Sequence, residues 1–137
     1  MRVRPGDLAL IAAGGAVGSL ARYGLGEAFP IEPHHFPATT FAINVTGAFL
    51  LGVLLEALTR RRTPEHWLRF LLGVGVLGAF TTFSSFMVEI VELARDGHGA
   101  LAAGYTIASV LAGLVAVLAG LVAAGWRSPP LPAEGES

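Results

Sequence analysis

The sequence predicts an all-α membrane protein of four transmembrane helices, the third broken near the bilayer midplane. Three observations predict it. Of 137 residues, 53% are hydrophobic and only 14% charged, where an average globular chain carries about 25% charge. The charges are segregated: residues 38–55, 70–88 and 100–126 contain none. Crossing a bilayer core of roughly 30 Å takes about 20 apolar helical residues, so four crossings fit this length.

The same composition excludes other classes. Without cysteine the chain is no disulfide-stapled module. A net charge of −1 with no lysine leaves no basic field for nucleic acid. No nucleophile–base pair, phosphate loop or cofactor motif is present, so the chain does not read as an enzyme. One membrane domain is expected over residues 1–128, with a disordered Pro-rich tail at 129–137.

The first span is placed at residues 8–28. Asp7 precedes it and suits a helix N-terminus. Arg2 and Arg4 ahead of an apolar run would also fit a secretory signal, but the run continues past signal length to Arg22 and three more follow. Pro30, Pro33 and Pro37 make residues 29–37 a loop. The second span is placed at 38–58 and stops at Arg60-Arg61-Arg62-Thr63-Pro64. The third runs over 67–93 and ends at the loop Arg95-Asp96-Gly97-His98-Gly99; the fourth covers 100–126.

Small residues mark helix contacts. Gly14 and Gly18 lie four apart in the first span. Gly104, Ala108, Ala112, Ala116, Gly120 and Ala124 form a ridge along the fourth, and helices in lipid associate through such surfaces. Four short helices cannot enclose a generous polar path alone. An oligomer is therefore expected, with the fourth-span ridge a candidate contact. Counting arginines, Arg2, Arg4, Arg60, Arg61, Arg62, Arg69 and Arg127 lie on the side of the N-terminus, against Arg22 and Arg95 opposite. Seven against two places both termini in the cytoplasm.

Polar groups at membrane depth are expensive and usually paired or functional. Thr40 and Asn44 share one face of the second span. The Asn44 amide can donate to an anion, or simply bond a neighbouring helix. Gly73, Gly75 and Gly78, followed by Thr81-Thr82-Phe83-Ser84-Ser85-Phe86, look built to break the third helix. A break frees carbonyls that can hold a cation and a helix N-terminus that favours an anion. Phe83 and Phe86 are three apart; their ring edges could attract an anion weakly, although spacing alone leaves core packing the commoner explanation. Tyr105, one turn from Ser109, could extend a hydroxyl track or bond across helices. Glu56, Glu89 and Glu92 read as solvated at span ends, and His34, His35, His66 and His98 as loop residues without metal-ligand spacing.

These residues resemble the CrcB/Fluc family of fluoride channels. The motifs are Gly78-Ala-Phe-Thr81-Thr82-Phe83-Ser84-Ser85-Phe86-Met-Val-Glu89, Gly14-Gly15-Ala-Val-Gly18-Ser-Leu-Ala-Arg22-Tyr23 and Pro37-Ala-Thr-Thr40-Phe-Ala-Ile-Asn44-Val-Thr-Gly47-Ala-Phe, and the likeness covers about residues 12–120. The resemblance implies a passive, fluoride-selective channel of a bacterial-type cell membrane that expels cytoplasmic fluoride and lowers its toxicity. It implies an antiparallel dimer with two pores, and a central structural sodium ion that is not transported. Carried over by motif, the Gly78 and Thr81 carbonyls would hold sodium, and Phe83 and Phe86 would present ring edges to fluoride. Asn44 would bond at the pore, and Ser84, Thr40, Tyr105 and Ser109 would line the polar path. Arg22 would be structural or vestibular. The biased arginines sit awkwardly with a homodimer that inserts both ways. Either they count unequally, or the chain pairs with an oppositely biased partner chain.

Two other readings compete. A small proton-coupled multidrug transporter depends on an embedded acid in its first span; here that span has only Asp7 and Glu27, at its ends. A non-conducting scaffold leaves Asn44 and the Thr81–Phe86 stretch unexplained.

Overall fold

The computed structural model describes residues 4–60 and 66–125. Among them every regular element is helical, and four helical stretches are long and apolar enough to cross a membrane. Helix α1 is Pro5–Ala28 and α2 is Ala38–Arg60. The third span is in two pieces. Its first half, α3, covers residues 66–80 and joins an α-helical turn His66–Leu68, a π-helical stretch Arg69–Leu77 and a last α turn Gly78–Phe80. Its second half, α4, is Phe83–Arg95. Helix α5 is Gly99–Ala123.

The ends follow local chemistry. Proline at the first helical position suits α1, and the Arg4 amide donates to the Asp7 carboxylate at 2.8 Å. Helix α5 stops three residues before the Trp126 expected from hydropathy. Its last turn closes through Ala124 and Gly125, and Gly125 takes a left-handed φ of 92°, the usual glycine stop. His66 begins α3 instead of lying in a loop, its ring edge-on to Phe70 at 4.9 Å. The tail at 129–137 lies outside the described residues.

Two backbone crossings hold the bundle. Helix α1 packs along α3, and α2 along α5. At the first crossing a methyl on Gly14 would collide with the Leu71 carbonyl oxygen, and one on Gly18 with that of Val76. At the second, a methyl on Gly52 would meet the Val117 carbonyl oxygen, and one on Gly120 that of Phe49. The absence of side chains lets the axes approach closely, which is how helices gain contact in lipid. The fourth-span ridge therefore divides. Ala116 and Gly120 are buried within the chain, while Gly104 is exposed.

Candidate functional site

The site is built around the break. Thr81 (φ −73°, ψ 155°) and Thr82 (φ −142°, ψ 120°) are extended and fall midway along the 30-residue span His66–Arg95. In an unbroken helix the Thr82 amide would donate to the Gly78 carbonyl, and the Ser85 amide to that of Thr81. Here the Thr82 amide donates instead to Asn44 Oδ1 at 2.8 Å, and the Ser85 amide to Thr82 Oγ1 at 3.2 Å. The break thus withdraws the helical donors of the Gly78 and Thr81 carbonyls.

Neighbouring elements satisfy other freed groups. Asn44 Nδ2 donates to the Thr82 carbonyl at 2.9 Å, completing a reciprocal pair between α2 and the break. Arg22 Nε donates to the Ala79 carbonyl at 3.1 Å, where the Phe83 amide would have reached in a continuous helix. The Thr81 hydroxyl donates back to the Leu77 carbonyl at 2.9 Å, and Thr82 caps α4. The positive end of the α4 dipole therefore faces the break.

The two phenylalanines part company. Phe86 is 8% exposed and packs edge-on to Tyr105, with ring centroids 5.1 Å apart. Phe83 is 74% exposed, its ring 6.0 Å from Phe86. Both border an open cavity of about 350 Å³ with Asn44, Gly78, Thr81 and Thr82. Thr82 also borders a second cavity of about 230 Å³, into which Arg22, Thr40 and Ser85 face. Ser84, Ser85 and Glu89 line a third, of about 840 Å³, at the loop end of the bundle. Polar side chains thus ring the start of α4.

Glu89 corrects the sequence-based expectation. Although it lines the cavity at the loop end, it is not freely solvated. It is partly buried, accepting from the Thr40 hydroxyl at 2.5 Å and the Tyr105 hydroxyl at 2.7 Å. Thr40 is 5% exposed and Tyr105 fully buried, so α2, α4 and α5 meet at one carboxylate. Glu56 is also buried, whereas Glu92 is exposed as expected. Ser109, one turn beyond Tyr105, has a buried hydroxyl. Ser84 is exposed, 3.3 Å from the Thr82 hydroxyl. The structure thus brings Asn44, Thr81, Phe83 and Gly78 to one cavity and Thr40 and Tyr105 to Glu89. Sequence reasoning missed Glu89 and Ser85. The signal for both was helical spacing, since Glu89 lies one turn beyond Ser85 on α4.

Hard cations are held by oxygen donors, roughly six of them. Two carbonyls without helical donors fit such an ion in kind, but too few come from one chain. Among the described residues no group of three His, Cys, Asp or Glu could hold a metal.

Residues 9–121 match the family described as CrcB-like protein, Camphor Resistance (CrcB). The chain is 48% identical over 120 residues to a "Fluoride-specific ion channel FluC 3" of Streptomyces avermitilis, covering 88% of this chain and 59% of that longer relative. It is 43% identical over 130 residues to "Fluoride-specific ion channel FluC 2" of Nocardia farcinica, covering 93% of each. It is also 43% identical over 116 residues to "Fluoride-specific ion channel FluC" of Agrobacterium fabrum, covering 84% of this chain and 93% of the relative.

Proposed function

The chain belongs to the CrcB family, and on that premise we propose that it is a passive, fluoride-selective channel that lets fluoride leave the cytoplasm. The relatives named as fluoride-specific channels carry the choice of ion. The observation that carries the mechanism is the break at Thr81–Thr82, locked by Asn44 and opening on a cavity beside Phe83.

Fluoride is small and strongly hydrated, so a pore must replace its water bonds with donors and positive edges without binding it irreversibly. The Phe83 ring edge is weakly positive. It borders the same cavity as the Asn44 amide, whose Nδ2 has a second hydrogen not used on Thr82. The N-terminus of α4 adds a positive dipole end without a fixed charge. Ser84 supplies a hydroxyl where the path widens. Thr40 and Tyr105 donate to Glu89, so they meet an anion only when a hydroxyl turns away from that carboxylate. The buried Ser109 hydroxyl, one turn beyond Tyr105, continues the track. Arg22 is read as structural, because its Nε fastens the break from α1.

The working unit on this reading is an antiparallel dimer. An exposed Phe83 in each chain needs a second surface to complete a pore wall, and a second pair of Gly78 and Thr81 carbonyls would bring the donor set nearer to what a sodium ion takes. The Gly78 and Thr81 carbonyls would hold such an ion, and it would supply positive charge beside the break. The second subunit is another copy, or a partner chain of opposite arginine bias.

Liposomes loaded with potassium fluoride, containing the purified chain and opened with a potassium ionophore, test the proposal. Fast fluoride loss with chloride retained supports it and shows that one chain suffices. No flux alone, with flux on adding an oppositely biased partner chain, assigns a heterodimer. No flux in either case overturns it.

A further inference from the structure

We propose that Phe36, a loop residue outside the four spans, is a positioning residue for the conduction path, holding Tyr105 so that its hydroxyl stays on Glu89. The inference rests on the fluoride-channel reading above. Tyr105 is fully buried, and its ring takes two edge-on contacts. One is with Phe86, inside the bundle, at 5.1 Å and 62°. The other is Phe36, at 5.2 Å and 83°, reaching in from the loop between α1 and α2. Phe36 is itself edge-on to Phe41 of α2 at 5.3 Å. A tyrosine hydroxyl sits at the far end of its ring, so a small tilt moves it by an ångström or more. Two edge-on ring contacts oppose that tilt.

The loop is anchored to do this. Pro37 is fully buried at the entry to α2, and the Ala38 amide donates to the Phe36 carbonyl at 2.7 Å. Two residues earlier His34 takes a left-handed φ of 63°. Its ring stacks on His98 at 4.8 Å, and its Nε2 lies 3.4 Å from Asp96 Oδ2. The loop is thereby tied to the turn between α4 and α5, the two helices that carry Glu89 and Tyr105. Phe36 remains 38% exposed, so its ring is a partial wedge and not a core anchor of the bundle.

The test compares Phe36→Ala and Phe36→Trp, each in the wild-type and the Tyr105→Phe background, by fluoride flux of the full chain in liposomes. Phe36→Ala is expected to lower flux about 5–10-fold in the wild-type background and less than about 2-fold when the Tyr105 hydroxyl is already gone, the mark of residues acting as one unit. Phe36→Trp, which keeps an aromatic edge, restores most of the flux. Equal losses in both backgrounds, or no loss, overturn the inference. A second readout is independent of conduction. Tyr23 and Tyr105 are the only tyrosines, so 3-fluorotyrosine labelling of a Tyr23→Phe chain gives one fluorine signal at Tyr105. Phe36→Ala shifts and broadens that signal if the clamp exists. An unchanged signal refutes it, whether or not the wild-type chain conducts, whereas absent wild-type flux with a shifted signal would count against the channel reading alone.

Discussion

Asn44 and Thr82, on separate elements, exchange two hydrogen bonds: the Asn44 amide donates to the Thr82 carbonyl at 2.9 Å and its oxygen accepts from the Thr82 amide at 2.8 Å. A carboxamide presents a donor and an acceptor side by side, so it can pair with both backbone groups of one residue. In lipid those groups have no water to turn to. The pair is therefore what makes a two-residue break tolerable at that depth.

Asn44→Asp breaks the pair in a defined way. An ionised carboxylate still accepts from the Thr82 amide but faces the Thr82 carbonyl with no donor. Leaving that partly buried carbonyl unsatisfied costs about 1–3 kcal/mol, and the fixed negative charge opposes an anion in the adjoining cavity. The expected outcome is a lowered thermal midpoint in detergent together with loss of fluoride flux. Unchanged flux would place Asn44 away from the conduction path.

Phe83 and Phe86 separate stability from conduction. Phe83 touches little within its own subunit, so Phe83→Ile should leave the subunit folded while flux falls at least about tenfold, since the aliphatic chain has no positive edge. Phe86 packs on Tyr105 inside the chain. Phe86→Ile should therefore also lower stability, by about 1–2 kcal/mol. Thermal unfolding and liposome flux on both variants distinguish the two. Normal flux in Phe83→Ile would remove the ring-edge mechanism.

The spans were legible because bilayer thickness fixes how long an uncharged stretch must be. The break was legible from Gly73, Gly75, Gly78 and the paired threonines, all poor helix formers within one stretch of ten residues. The π-helical winding of Arg69–Leu77 was not, because a change from i+4 to i+5 bonding leaves no compositional mark. Glu89 was misjudged for a related reason. Read along the chain it lies near a span end, and what makes it interior is a contact with Tyr105 on another helix and Thr40 on a third. Arg22 posed the same problem, since its acceptor lies 57 residues away. The two phenylalanines share a helical face by spacing, but tertiary packing covers only one of them.

Glu89→Ala should destabilise more than Glu89→Gln. Alanine leaves two buried hydroxyls without their acceptor, at about 1–3 kcal/mol for an unsatisfied buried group. Glutamine keeps one acceptor oxygen, so about half the loss is expected. Chemical or thermal unfolding of both variants checks the order. Equal and negligible effects would return Glu89 to the solvated position that its place in the sequence suggests.

The crossing of α1 over α3 yields the last prediction. Gly18 faces the Val76 carbonyl oxygen with no room for a methyl, and the Phe80 amide would lie 3.0 Å from that methyl. Both neighbours are backbone, which cannot rotate away as a side chain would. Gly18→Ala must therefore push α1 off α3, and the shift reaches the turn of α3 that leads into the break. A loss of at least about 2 kcal/mol is expected, the range for overpacking a close contact, with reduced flux alongside. Gly24→Ala, on the same helix with nothing within 4 Å, is the control. It adds a methyl in open space and gains helix propensity, so it should be neutral or stabilising by up to about 1 kcal/mol. If the two variants behaved alike, the close backbone approach would not be what holds the broken span against α1.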